Sequence, residues 1–192
     1  VYVGMVCGAY STPTDFTKLN AYVYSFDPVT TTFTQVLTFP LTYNRGTGNS
    51  AVGWNVSPIP GGYGGTNTSN WRPWDDTYSR SELSWYDPAF REGGYPQPML
   101  SDIEFDANGN MHIGLRDRFG DMVGDGVNEP GGSSTLLESD GTGDILRATP
   151  SGAIWTLNIT QATNGSEFYF NDNFGTGHLE TSNGGLAHYL GT

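Results

Sequence analysis

The chain has 192 residues, enough for one domain or two small ones, and its formal net charge at pH 7 is -12. Acidic surfaces repel phosphate groups, so the composition argues against nucleic acid and anionic membranes as partners. No stretch contains 18 consecutive apolar residues, so we expect no membrane insertion. The single cysteine, Cys7, excludes an internal disulfide, and its apolar surroundings predict a small buried side chain.

Short runs of β-branched and aromatic residues lie between clusters of Gly, Pro, Asn and Asp, and no window of ten residues keeps a helical period. This pattern predicts an all-β fold with antiparallel sheets. We expect strands at about 1–7, 20–27, 32–38, 99–106, 110–116, 143–149, 153–159 and 184–190.

Two strand patterns resemble each other within the chain. VYVGMV (1–6) and MHIGLR (111–116) share an aliphatic-Gly-aliphatic step, and each precedes a second hairpin, at 19–37 and 143–159. A repeated strand pair with a repeated partner hairpin is typical of β-propeller blades. The alternative is a β-sandwich with two similar hairpins.

The repeat predicts a partial β-propeller of about two blades with long insertions. A closed propeller needs more blades, so we expect other copies of the chain, or the rest of a longer chain, to complete it, with self-assembly through open sheet edges. The predicted organisation is one all-β domain or propeller segment over 1–192: an incomplete blade at 1–39, an insertion at 40–98, a blade at 99–160 and the start of a next blade at 183–192.

The hairpin within 99–119 allows its register to be predicted. A three-residue loop at 107–109 with glycine last pairs Phe105 with Met111 and Ile103 with Ile113 on the core face. The opposite face carries Asp102, Glu104, His112 and Arg116. We expect these polar side chains to pair across the strands, Glu104 with His112 and Asp102 with Arg116.

The glycine-rich stretch 117–142 is the candidate metal site. Acidic residues recur in it at four-residue spacing, and Ca²⁺ prefers several oxygen ligands from acidic loops. The candidate ligands are Asp117, Asp121, Asp125, Glu129, Asp140 and Asp144. The alternative is that these are solvated acids of a surface loop.

Aromatic residues are dense in the insertion at 54–95, and three of them are candidate ligand-binding residues: Trp71, Trp74 and Trp85. Such rings stack on sugars, or they pack the insertion onto the blades or against a neighbouring copy. Four glycosylation sequons begin at Asn55, Asn67, Asn158 and Asn164. We find none of the common nucleophile, zinc-protease or phosphate-loop motifs, and we identify no catalytic residue.

Three segments carry a resemblance to a known class of protein: AYVYSFDPVTTTFTQVLTFPLTYNRG, YPQPMLSDIEFDANGNMHIGLRDRFGD and GDILRAT. They resemble β-propeller regions of large secreted bacterial cell-surface proteins, in which repeated immunoglobulin-like B-type modules follow. The resemblance implies a longer propeller, an extracellular or cell-surface location, and a non-catalytic structural or binding role. The alternative function is a carbohydrate-binding or carbohydrate-active propeller that uses the 54–95 insertion, with glycans as partners.

Overall fold

A computed structural model describes 1–12, 14–43, 71–77, 83, 85–87, 92–124, 126–128, 136–137, 139 and 143–157, with the backbone alone at 85–87 and 92. Within these ranges the fold is all-β with antiparallel sheets, as the sequence predicts. The expected strand at 184–190 and the blade start at 183–192 lie outside the described residues. No helix in the described ranges has the length and hydropathy needed to cross a membrane.

The first sheet, called the N-terminal sheet here, consists of β1 (Tyr2–Cys7), β2 (Asn20–Asp27) and β3 (Thr32–Pro40) in that order. A single 3-10 turn at Phe16–Lys18 precedes β2. Asp27 closes the turn between β2 and β3, because its Oδ1 accepts a hydrogen bond from the backbone N of Val29 at 2.8 Å. These strands form where the sequence is richest in β-branched and aromatic residues.

The remaining elements follow in chain order. They are β4 (Trp85–Asp87), β5 (Glu92–Gly94), β6 (Pro98–Phe105), β7 (Met111–Asp117), α1 (Arg118–Val123), β8 (Val127–Asn128), β9 (Leu136–Leu137), β10 (Asp144–Ser151) and β11 (Ile154–Thr156). The second sheet, called the central sheet here, has the order β11-β10-β7-β6, whereas β4–β5 and β8–β9 form two-stranded ribbons. The central sheet therefore is a four-stranded meander in the range predicted for one blade.

The predicted register of the β6–β7 hairpin is confirmed. Phe105 pairs with Met111 and Ile103 with Ile113. The backbone N of Asp106 donates to the carbonyl of Asn110 at 3.0 Å, and Gly109 adopts a φ of 79°, as a three-residue loop with glycine last requires.

The cross-strand pair predicted between Asp102 and Arg116 is wrong, whereas Glu104 lies opposite His112 in the register as predicted. Arg116 Nη2 lies 2.6 Å from Asp121 Oδ1 in α1, and His112 Nε2 lies 3.4 Å from Asp106 Oδ2 in the hairpin loop. A β-bulge between Leu100 and Asp102 inserts an extra residue into β6. The bulge moves Asp102 further along the strand from the residue that lies opposite Arg116.

The two sheets pack face to face around the main hydrophobic core. Ala21, Val23 and Phe39 of the N-terminal sheet are buried with Ile113 and Leu146 of the central sheet. Gly4 allows β1 to approach β6, because a Cβ at Gly4 would lie 2.2 Å from Leu100 Cδ2. The prediction that Cys7 is buried is wrong, since its side chain points to the other, exposed side of β1.

A second, smaller core lies beside α1. It contains Leu83, Tyr95, Phe119, Val123 and Leu137. The sequence predicted an irregular loop for 117–142, because a helix of six residues is too short to show a helical period.

Candidate functional site

One end of the two sheets collects several of the residues that the sequence singled out. β1, β3 and β7 end there, while β2, β6 and β10 begin there. The 71–77 segment contacts both sheets at this end: the backbone N of Arg72 donates to Pro96 O, and that of Trp74 to Gly8 O, each at 2.7 Å. We call this end the junction: segment 71–77 with Tyr43, 95–98, 117–119 and Asp144.

Trp71 lies in the core of the junction and is 1 % exposed. Its Nε1 donates to the hydroxyl of Tyr43 at 3.1 Å, and that hydroxyl donates to Asp144 Oδ2 at 2.5 Å. Asp144 is also buried. The Trp71 indole N–H and the Tyr43 hydroxyl thus both donate to protein groups. Trp71 therefore packs segment 71–77 onto the sheets and offers no exposed ring face for stacking a sugar.

Trp74 is half-buried and is held by protein groups as well. Its Nε1 donates to the carbonyl of Pro98 at 2.8 Å, and its ring covers Gly8 so closely that a Cβ there would lie 2.6 Å from Trp74 Cγ. The guanidinium of Arg118 lies 5.0 Å from the ring centroid, within cation–π range. Packing is therefore the interpretation that the structure favours for Trp74.

Gln97 is a central residue of the junction that sequence reasoning missed. It is 0 % exposed, and its backbone N donates to Asp117 Oδ1 at 2.9 Å. Its side-chain Nε2 donates to Asp75 O at 2.9 Å, while its Oε1 accepts from Arg118 Nη1 at 2.5 Å. The signal in the sequence is its position between Pro96 and Pro98, which favour extended backbone on both sides.

Arg118 was also missed, and it ties the insertion to the end of β7. Its Nη2 pairs with Asp76 Oδ1, and its backbone N donates to Gln97 O at 2.8 Å. A guanidinium presents several donors in one plane, so a single side chain binds both Asp76 and Gln97.

The predicted metal ligands are not brought together in the described part of the chain. Asp117 caps α1, since its Oδ1 accepts from the backbone N of Phe119 at 2.9 Å as well as from Gln97. Asp121 pairs with Arg116. Among the described residues, no group of three or more His, Cys, Asp or Glu side chains could hold a metal ion.

Other predicted site residues lie outside the described residues. They are Asp125, Glu129 and Asp140, the side chain of Trp85, and the sequon residues Asn55, Asn67, Asn158 and Asn164. Calcium binding and glycosylation therefore stay predictions.

The opposite end of the sheets contains an acid with a shifted pKa. Hydrogen bonds from the Asn110 side chain and from the backbone of Asn110 and Asn108 lower the pKa of Asp106 to about 2, against the effect of partial desolvation. Asp106 is thus ionised at neutral pH and holds the β6–β7 loop in place. Trp155 secures the same loop, because its Nε1 donates to Gly109 O at 2.9 Å.

Comparison with curated proteins finds similar segments in two very long chains. The chain is 32 % identical over 194 residues to Colossin-A from Dictyostelium discoideum, in a match that covers 97 % of this chain and 2 % of Colossin-A. It is 31 % identical over 203 residues to Colossin-B from the same organism, covering 99 % of this chain and 5 % of Colossin-B. The chain thus spans a small fraction of the length of these relatives. No family model matches the chain, and no solved structure matches it.

Proposed function

We propose that the chain is a non-catalytic structural or binding module of an extracellular or cell-surface protein, in which the two sheets are neighbouring blades of a β-propeller. The observation that carries this proposal is the face-to-face packing of a sequential four-stranded meander on a second meander, with Leu100 seated against Gly4. Propellers are built from such meanders, each stacked on the next.

The internal repeat supports the same interpretation. Gly4 in β1 pairs with Val23 in β2, and Gly114 in β7 pairs with Ile145 in β10. When the two glycines are superposed, β1-β2-β3 corresponds to β7-β10-β11, in the same order and direction. Gly4 faces the central sheet, and Gly114 lies on the face of the central sheet that is directed away from the N-terminal sheet. Each glycine would then face the next blade along the chain, as a series of stacked blades requires.

The hydrogen bonds of the junction support a structural role. Buried polar groups there, on Gln97 and Asp117, bind backbone and side chains of the protein itself. Satisfied networks of this kind specify one arrangement of packed elements.

The proposed partners are other copies of the chain or the rest of a longer chain. The matches to Colossin-A and Colossin-B support this, because each lies within a chain many times longer. The acidic composition suits an extracellular setting, in which net charge keeps the surface soluble. Glycans as partners would require a surface other than Trp71 and Trp74, such as the insertion around Trp85.

An experimental structure of the chain with its flanking residues tests the propeller. Blades are expected to be related by rotation about one axis, with a further sheet stacked on each open face. A closed two-sheet sandwich would contradict the proposal. The location is tested by treating intact cells with an external protease, and a tagged chain that survives this treatment would contradict an extracellular role.

The calcium hypothesis for 117–144 belongs to the same proposal and has its own test. A bound ion stabilises the folded state, by about 2.7 kcal/mol at a hundredfold excess over Kd. We therefore expect a higher melting temperature in Ca²⁺ than in chelator, and a smaller difference in Asp125→Asn or Asp140→Asn. Identical melting curves in both buffers would refute the hypothesis.

A further inference from the structure

β1 is an edge strand of the N-terminal sheet, and one side of its backbone has no partner strand among the described residues. Val1 and Phe26 exchange two hydrogen bonds, at 2.7 Å from the Phe26 N and at 3.3 Å from the Val1 N. Since bonded and non-bonded pairs alternate along an antiparallel ladder, the odd-numbered residues of β1 bond to β2. The even-numbered residues direct their N–H and C=O groups to the opposite side, which we call the free edge of β1: Tyr2, Gly4 and Val6.

The free edge of β1 lacks the features that protect the other sheet edges from pairing. β6 begins at Pro98, contains a bulge and carries Asp102 and Glu104, whereas β3 contains a bulge and ends at Pro40. β11 has only three residues. β1 has six residues, with no charge, no proline and no bulge. Natural proteins block exposed edges with such features, so the free edge of β1 is suited to receive a strand.

The internal repeat indicates which strand is missing. The backbone N of Asp106 donates to the carbonyl of Asn110, so the even-numbered residues of β7 bond to β6. With Gly4 superposed on Gly114, the free edge of β1 therefore corresponds to the edge of β7 that binds β6. The N-terminal sheet has three strands and the central sheet has four, and the strand without a counterpart in the N-terminal sheet is β6.

The residues beside the free edge indicate the chemistry of the missing strand. Val3 and Met5 lie on the outer face of the N-terminal sheet, which is directed away from the central sheet, and Met5 is 53 % exposed. Val3 corresponds to Ile113, which pairs with Ile103 of β6 in the core. Apolar neighbours on one face of two paired strands stabilise the pair. The missing strand should thus place an aliphatic or aromatic side chain opposite Val3.

We propose that the free edge of β1 binds an extended antiparallel strand of the β6 type, supplied by another part of a longer chain. Main-chain hydrogen bonds to the free edge hold this strand, as in other cases in which a strand is added to a sheet. Within one chain the strand has a high effective concentration, and these bonds do not depend on the net charge of -12. The matches to Colossin-A and Colossin-B, each a small part of a much longer chain, favour this source. The inference rests on the proposed propeller and names the strand that completes the N-terminal sheet.

Amide hydrogen exchange, measured residue by residue by NMR, tests the free edge in the natural chain. The Gly4 and Val6 amides should exchange about tenfold or more faster than the Met5 and Cys7 amides, which bond to β2. Equal protection of all these amides would overturn the inference, because the edge would already be occupied by another part of this chain.

A chain extended by a second copy of 98–110 ahead of Val1 tests the added strand. This extension places β6 and its hairpin loop before β1, as they stand before β7. The amides on the free edge should then become as protected as those that bond to β2, and the melting temperature should rise. The matched control carries Glu104→Pro in the added copy alone, which removes one donor to β1 and should weaken both effects.

Unchanged exchange at the free edge in the extended chain, or equal protection in the proline control, would overturn the inference. Neither result would affect the protease test on intact cells. Failure of the added strand and failure of the proposed location are therefore distinguishable.

Discussion

The outer faces of the two sheets differ far more than their inner faces do. The inner faces are both apolar and bury each other, whereas the outer side of the central sheet presents Glu104 and Arg116, and that of the N-terminal sheet presents Met5 and Phe33. The same strand pattern thus exposes charged side chains on the outer side of one sheet and apolar side chains on the outer side of the other. Whether the residue at a given position of the repeat is buried depends on which sheet packs over it.

The largest effect on the free energy of unfolding is expected when corresponding positions of the two sheets are compared. Leu115→Ala should cost about 2–5 kcal/mol of unfolding free energy, because it removes a 0 % exposed side chain from the core. Met5→Ala should change it by less than about 0.5 kcal/mol. Urea denaturation at low protein concentration measures both values, and equal costs would show that the outer face is as well covered as the core.

The contact between the sheets is tested next by Gly4→Val. A side chain at this position overlaps Leu100 Cδ2, and overpacking of this kind costs about 1–3 kcal/mol. Combining Gly4→Val with Leu100→Ala should cost less than the sum of the two single changes, because the space vacated by Leu100 accommodates the new side chain. Strict additivity in the double-mutant cycle would mean that the sheets do not meet at these residues.

Tyr43→Phe should have a comparable or smaller effect at the junction. It removes the donor to the buried Asp144 carboxylate, and an acceptor that loses its partner costs about 1–3 kcal/mol. Tyr24→Phe is the matched control on the outer face, where the hydroxyl donates to Gln35 Oε1 in contact with solvent. Thermal unfolding of both variants provides the comparison. A larger loss of melting temperature for Tyr24→Phe than for Tyr43→Phe would contradict the prediction.

The smallest effect is expected in the hairpin loop, far from the junction. The pKa of Asp106 is lowered from 3.8 to about 2 by its hydrogen bonds. Its contribution to stability is therefore complete above the unfolded-state pKa and is lost as the pH falls from about 4 towards 2. Asp106→Asn should lack this component of the acid dependence. NMR titration of the carboxyl checks the pKa directly, and an ordinary value would remove the basis of the prediction.

The hairpin was predictable because its signals are local. Asn108-Gly109 and the alternation on either side set the β6–β7 register, and both follow from neighbouring residues. The junction was not predictable for the opposite reason: Gln97 binds Asp75 and Asp117, which are distant from it in sequence.

Cys7 illustrates a different limit of the sequence. The strand pattern placed it correctly in β1, but alternation alone does not tell which side of a strand is covered by another sheet. The acids of 117–144 show a similar limit, since spacing alone does not reveal that Asp117 caps α1 and that Asp121 pairs with Arg116. Spacing indicates which residues share a region, and tertiary contacts decide what they bind.

The hydrogen bond between Trp71 and Tyr43 has a consequence for how the chain tolerates change. Both side chains are anchored in the core, so the ends of 44–70 are fixed close together regardless of what lies between them. A change of chain length between Tyr43 and Trp71 should therefore preserve both sheets as long as it leaves these two side chains in contact.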